Sequence, residues 1–214
     1  MWIQHGILKS DIYNMNEKKF AMNITESFKV LVQHTETQAF SVQTDNQNWM
    51  SLIECVLFND ITLSLYFIFK SKLIQQTWLN SIKNNQTILQ ISDNDWTTNA
   101  IKLQWLEAFN LHTKTQTQGT HQLLVLNDHK SYVFTDFIQY CCDHSIVTLC
   151  FSSHSTHLLQ SLNVEVFESL SKIYKKCVYT HLHYEIINVN KLNFLHYYQK
   201  IKLTAITTQN ILSA

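Results

Sequence analysis

The sequence predicts an α/β domain built from a mixed sheet flanked by helices. Short apolar runs typical of strands alternate, in the second half of the chain, with segments whose apolar residues recur at helical spacing. Such alternation is typical of a sheet with helices packed on its faces. The 214 residues suffice for one domain with a substantial core. We expect a single domain over residues 9–214, helical from about residue 164.

The first half of the chain predicts strands. Residues 12–15 form a short apolar strand that we expect to end before the polar Asn16. Four further segments are strand candidates: residues 29–33, 39–43, 51–58 and 63–70. The last two are rich in Ile, Leu, Val, Phe and Tyr and are separated by a polar pair, so they predict a hairpin.

The second half predicts four helical segments and two strands. The helical segments are residues 96–113, 134–142, 164–177 and, as one or two helices, 191–214. Strands are predicted at residues 123–126 and 146–151. The first of these strands stops at Asn127, and ligands of open α/β sheets bind at such strand ends. We therefore expect a site there, although an amide is a poor catalytic group.

Composition is strongly biased. All sixteen basic residues are Lys, the formal net charge is zero, and the chain has no Pro and only two Gly. Average usage would give roughly 7% Gly and 5% Pro. Five cysteines without zinc-ribbon spacing indicate a reducing compartment. The first residues do not resemble a signal peptide, and no apolar stretch approaches the roughly 20 residues of a membrane helix.

Three motifs resemble the catalytic domain of the pogo/Tigger/jerky transposases, especially the fungal members. They are DIYNMNE at residues 11–17, LLVLNDHKS at 123–131 and HSTHLLQSLNV at 154–164. These transposases are DDE endonucleases, so the resemblance implies a ribonuclease H-like fold from about Asp11 to the end. It also implies ancestral DNA cleavage and strand transfer with Mg²⁺ or Mn²⁺, DNA as partner and a nuclear location. It implies no membrane and no small-molecule cofactor.

The same resemblance predicts an inactive site. The family motifs read Tyr-Asn-Met-Asp-Glu, Leu-Asp-Gly-His and Leu-Gln-Pro-Leu-Asp, which places the three catalytic carboxylates at Asn16, Asn127 and Asn163. Asp128 stands where the family has Gly, and Ser161 where it has Pro. The chemistry needs carboxylates around two metals roughly 3.5–4 Å apart. Neutral amides are poor ligands for Mg²⁺, so we expect no retained metal and no cleavage.

Acidic neighbours are not expected to replace these carboxylates. Glu17 and Asp128 each follow a site position directly, and successive strand side chains point to opposite faces. Glu165 lies two residues beyond Asn163, about 200° around the axis if that segment is helical.

Candidate DNA contacts follow partly from the motifs and partly from charge. The candidates are His129, Lys130, His154, His157, Lys172, Lys175 and Lys176. The histidines line the site rim in the family, an interpretation we favour over a zinc site at His154 and His157. The three later lysines, with Tyr174 and Tyr179, form a basic aromatic stretch that either contacts phosphates or is simply a solvated helix face.

The departures from the family share one cause at the codon level. Asp to Asn, Gly to Asp, Glu, Ser or Lys, and the loss of Pro and Arg are mostly single C-to-T or G-to-A changes. Fungal genomes are known for a defence that mutates repeated DNA in this way, so our hypothesis is a mutationally inactivated transposon. Four positions align with family glycines and are expected to destabilise the fold: Lys19, Asn23, Asp128 and Glu165.

Three function classes are compatible with the sequence. The first is a degenerate transposase core with at most weak DNA binding. The second is a domesticated DNA-binding protein of the centromere protein B type, although the helix-turn-helix modules of that type are not found in this sequence. The third is a working nuclease that uses other acids.

Overall fold

One mixed sheet forms the centre of the molecule. The structure is a computed structural model that describes residues 5–22, 49–57, 63, 65–82, 87–93, 96–126, 132, 134–150, 168–185 and 190–205. Six strands lie within these ranges: β1 (Ile12–Ala21), β2 (Trp49–Leu57), β3 (Leu65–Lys70), β4 (Thr87–Ser92), β5 (Gln122–Leu126) and β6 (Ile146–Cys150). Their order is β4-β3-β2-β1-β5-β6. β2 is antiparallel to β1 and β3, whereas the β3–β4, β1–β5 and β5–β6 pairs are parallel.

Helices cover both faces of the sheet. The described helices are α1 (Gln76–Ser81), α2 (Asn99–Thr113), α3 (Thr135–Asp143), α4 (Glu168–Glu185) and α5 (Lys191–Ala205). One core cluster joins the sheet to α1, α4 and α5, and a second joins its other face to α2 and α3. The predicted α/β class, a mixed sheet flanked by helices, is therefore confirmed.

The strand predicted at residues 12–15 is longer than expected. β1 continues through Asn16 to Ala21, because it pairs with β2 from Tyr13 opposite Leu57 to Ala21 opposite Trp49. The expectation that the strand ends before Asn16 is wrong, since pairing with a distant strand outweighs local polarity. Asn16 consequently lies in the middle of a strand.

Several strands and helices agree with the predictions made from local sequence patterns. The hairpin strands at 51–58 and 63–70 are confirmed by the antiparallel pairing of β2 and β3. The first long helix begins at Asn99, three residues later than predicted, and the Thr98 side chain caps it by accepting from the amide of Ile101. Local sequence patterns predict neither α1 nor β4. The strand candidates at 29–33 and 39–43 lie outside the described residues.

Two residues of the apolar pattern that predicts a helix at 134–142 lie on the surface. Ile138 and Cys142 of α3 are exposed, while Phe137 and Cys141 carry the buried face of that helix. Burial raises the pKa of the Cys141 thiol to about 12, so it stays protonated at neutral pH.

Both glycines of the chain meet in one contact near the start of β1. Gly6 has a φ of +61°, and its carbonyl accepts from the amide of Thr120 at 3.1 Å. The fully buried Asp11 accepts from the amides of Gln118 at 3.0 Å and Gly119 at 2.7 Å. We call these five residues the N-terminal clasp; it ties the entry of β1 to the loop that precedes β5.

The backbone angle φ is positive at a position other than the four that were aligned with family glycines. Lys19 has ordinary strand conformation opposite Ser51, so the expectation that it needs glycine is wrong. Its ammonium lies 2.9 Å from the ring centroid of Trp96. Among the described non-glycine residues, Ser145 alone has a positive φ, of 57°, and it directly follows the C-cap of α3.

We expect Ser145→Gly to stabilise the protein and Lys19→Gly to destabilise it. Glycine removes a left-handed penalty of roughly 1–2 kcal/mol at position 145. Within β1 it costs about 0.5–1 kcal/mol, and the contact with Trp96 is lost as well. Chemical denaturation of the two variants measures both changes in the free energy of unfolding. If both variants changed the free energy of unfolding in the same direction, Ser145 would not be distinguished from Lys19 as the position that favours glycine.

Candidate functional site

The first predicted carboxylate position lies at the centre of the sheet. Asn16 is fully buried on β1, between β2 and β5. β5 ends at Leu126, which lies beside Met15, the residue that precedes Asn16. The end of β5 therefore reaches the level of Asn16, which is where the sequence predicts a site.

Glu54 lies directly opposite Asn16 on the neighbouring strand β2. Directly opposed residues of an antiparallel pair share a face, with Cβ atoms about 4.5–5.5 Å apart. The shared face is the one covered by α4 and α5, because Phe20 of β1 and Leu52 of β2, which have the same alternation, pack in that core cluster. Glu54 is fully buried, so a carboxyl group lies beside the amide of Asn16.

Helix α5 supplies the polar partners of Glu54. The Tyr198 hydroxyl donates to Glu54 Oε2 at 2.7 Å, and Lys202 Nζ lies 2.8 Å from Oε1. Burial, and then the neighbouring Glu54, raise the pKa of Tyr198 well above its ordinary value. Tyr198 therefore remains a neutral donor at physiological pH.

Glu17 points away from this group. Its carboxylate accepts from the Tyr132 hydroxyl at 3.0 Å and from Thr97 Oγ1. These partners lie on the face covered by α2 and α3, where Tyr132 packs in the core cluster. The prediction that Glu17 does not replace Asn16 is confirmed by this geometry.

The described residues do not fit a two-metal centre. Asn16 offers a neutral amide, and the oxygens of Glu54 already contact Lys202 and Tyr198. Within the described ranges, no three His, Cys, Asp or Glu side chains converge in a way that could hold a metal.

The remaining predicted site residues fall into two groups. Six lie outside the described residues: Asn127, His129, Lys130, His154, His157 and Asn163. Lys172, Lys175 and Lys176 are exposed on α4. Tyr174 is not part of that surface: it is buried against Phe20 and donates to the carbonyl of Ala21 at 3.1 Å, because it belongs to the core face of α4.

Motif matching missed Glu54. The sequence feature that could have identified Glu54 is its position as the single acid in the apolar run of β2, because a buried charge needs a partner. The sequence did not identify Lys202 as that partner.

The domain is an α/β domain of the ribonuclease H-like class, with a mixed six-stranded sheet flanked by helices. The family model described as DDE superfamily endonuclease matches residues 46–214, well over half of the chain, so the chain belongs to this family. That match begins after Asn16.

Solved structures with the same fold include complexes of the Mos1 mariner transposase. The Mos1 strand transfer complex has a TM-score of 0.52 and 11% identity, over 95% of this chain and 54% of that chain. The mariner Mos1 paired end complex with Mg has a TM-score of 0.52 and 10% identity, over 94% and 57%. At such identity the likeness shows the fold, and this chain spans about half of the Mos1 chains.

One curated relative is named as a transporter and not as a transposase. The MFS-type transporter clz9 of Cochliobolus lunatus is 28% identical over 212 residues, which are 99% of this chain and 23% of that protein. Less than a quarter of the transporter-named protein is thus covered. In the described part of this chain, no helix has both the length and the apolar character needed to cross a membrane.

Proposed function

We propose that this chain is the catalytic core of a pogo/Tigger/jerky-type transposase that has lost DNA cleavage. Its site positions are Asn16, Asn127 and Asn163 within one domain over residues 9–214. Its ancestral setting is the nucleus and its partner is DNA, bound weakly and without sequence preference. Family membership and fold support the ancestry, and the three amides support the loss of activity.

The observation that carries the loss of activity is the environment of Asn16. A neutral amide lies at the centre of the sheet. The carboxyl group directly opposite it on β2, that of Glu54, forms an ion pair with Lys202. At ~4 Å and an effective dielectric of about 20, each carboxylate lost from a metal site removes about 4 kcal/mol of attraction per charge pair before desolvation. Three such losses leave too little attraction to hold two dications.

Purified protein is expected to show no Mg²⁺- or Mn²⁺-dependent cleavage of DNA. The assay follows nicking of supercoiled plasmid, with a metal chelator added in parallel. An Asn127→Ala variant is the matched control, because it removes a proposed site position without adding charge. Nicking that disappears both with chelator and in Asn127→Ala would overturn the proposal and favour a working nuclease.

DNA binding is expected to be weak, strongly salt-dependent and indifferent to sequence. Phosphate contacts by exposed Lys172, Lys175 and Lys176 would dominate, and such contacts lose several decades of affinity by roughly 200 mM salt. Fluorescence anisotropy of labelled duplexes across a salt series measures this, with the three lysines changed to Gln as the comparison. A site-specific footprint that survives 200 mM salt would instead favour the domesticated protein of the centromere protein B type.

A further inference from the structure

The contact between Glu54 and Lys202 joins residues far apart in sequence. Lys202 reaches from α5, with 22% of its side chain exposed, to a carboxyl group that is fully buried on β2. Tyr198, one helical turn earlier, donates to the other oxygen of the same carboxylate. The two α5 residues thus contact both oxygens: Oε2 accepts a hydrogen bond from Tyr198, whereas Oε1 is paired with the Lys202 ammonium without a hydrogen bond.

A buried carboxylate of this kind needs its counter-charge. Removing one partner of a buried pair leaves an uncompensated charge, which destabilises strongly, whereas removing both charges is often neutral. Asn16 lies directly opposite Glu54 on the same face, so a charge at position 16 would share this environment.

We propose that position 16 and Glu54 form one electrostatic unit, whose counter-ion among the described residues is Lys202. In this chain the unit holds one carboxylate, at Glu54, and one ammonium, at Lys202. Glu54 is then a positioning residue: it fixes α5 over the strand position of Asn16 and keeps the ammonium there. This deepens the proposed function, on which it rests only for the identity of position 16.

The unit accommodates the carboxylate at either strand position but not at both. A carboxylate at position 16 adds a second buried negative charge while Glu54 remains. The same carboxylate takes over the ammonium of Lys202 when Glu54 is neutral. Moving the charge from Glu54 to position 16 should therefore conserve stability, although each single change lowers it.

Thermal melts of Glu54→Gln, Asn16→Asp and their double variant test this charge relocation. Each single change should lower the melting temperature by at least about 6 °C, from the usual penalty of an unmatched buried charge. The double variant should melt within about 3 °C of the parent. Asn14→Asp is the matched control, because Asn14 has the same alternation on β1 but lies opposite Val56. Glu54→Gln should not rescue it.

Lys202 variants test the counter-ion separately. Lys202→Arg should retain the parental melting temperature within about 3 °C, whereas Lys202→Met should lower it by at least about 6 °C. Combining Lys202→Met with Glu54→Gln should recover most of that loss.

The outcomes distinguish a shared unit from a structural contact alone. Additive losses in Asn16→Asp/Glu54→Gln, or a double variant that does not fold, would overturn the proposal. Equal rescue of Asn14→Asp would overturn it as well. These melts involve neither DNA nor metal, so a failed rescue leaves the cleavage assay unaffected, and plasmid nicking would not alter the charge coupling.

Discussion

Gly119→Ala is expected to destabilise the protein strongly. A Cβ atom at this position would lie 2.3 Å from the carbonyl oxygen of Gly6 and 2.8 Å from Asp11 Oδ2. Neither neighbour can move freely, because the Gly6 carbonyl accepts from Thr120 and Asp11 accepts from the Gly119 amide. The cost should reach or exceed the roughly 3 kcal/mol at the upper end for overpacking.

A thermal melt followed by circular dichroism measures this effect. Gln118→Ala is the matched control, since its exposed side chain accepts only a long 3.4 Å bond from Ser10. The control should remain within about 0.5 kcal/mol of the parent, as surface changes usually do. If Gly119→Ala melts within about 3 °C of the parent, the N-terminal clasp is not the rigid contact described above.

The N-terminal clasp also bears on the composition. The chain retains two glycines, and each lies where an added Cβ would approach an atom of the clasp within 2.4 Å. Under the hypothesis of a C-to-T and G-to-A mutational bias, the two spared positions are ones at which a side chain would displace neighbouring atoms. The glycine-poor sequence is thus compatible with a regular fold in the described ranges.

Local patterns predicted the elements that are encoded locally. The hairpin of β2 and β3 and the helix α2 follow from apolar runs, periodicity and the Thr98 cap. β4 reads Thr-Ile-Leu-Gln-Ile-Ser and α1 has only six residues, so neither presents a strong period. Each forms through tertiary contacts, β4 by parallel pairing with β3 and α1 by burying Trp78.

The candidate site shows the same division. The proposal of Asn16 as a site position rests on a motif and stays a prediction, whereas strand alternation sufficed to predict that Glu17 points elsewhere. The partnership of Glu54 with Tyr198 and Lys202 depends on how α5 docks on the sheet, which no local pattern specifies. Sequence reasoning about glycine failed at Lys19 for a related reason, because φ is set by strand pairing there.

Restoring the three carboxylates is expected not to restore cleavage. Changing Asn16, Asn127 and Asn163 together to Asp would, by the motif resemblance, recreate the three carboxylates of the family. At position 16, however, the new carboxylate is buried beside Glu54, which Lys202 already neutralises. An unmatched buried charge costs about 3–5 kcal/mol, a large part of the roughly 5–15 kcal/mol by which domains are stable.

The parent itself is expected to melt below about 55 °C, within the mesophile range of about 45–65 °C. By the motif resemblance, Asp128 and Ser161 stand at positions of a family Gly and Pro, and such losses weaken a fold through strain or a looser unfolded chain. The triple revertant should therefore melt lower still, or aggregate, and should leave supercoiled plasmid intact with Mn²⁺. Adding Asp128→Gly and Ser161→Pro should raise its melting temperature, while adding Lys19→Gly should not. A triple revertant that melts as high as the parent and nicks plasmid would show that the amides alone separate this chain from an active enzyme.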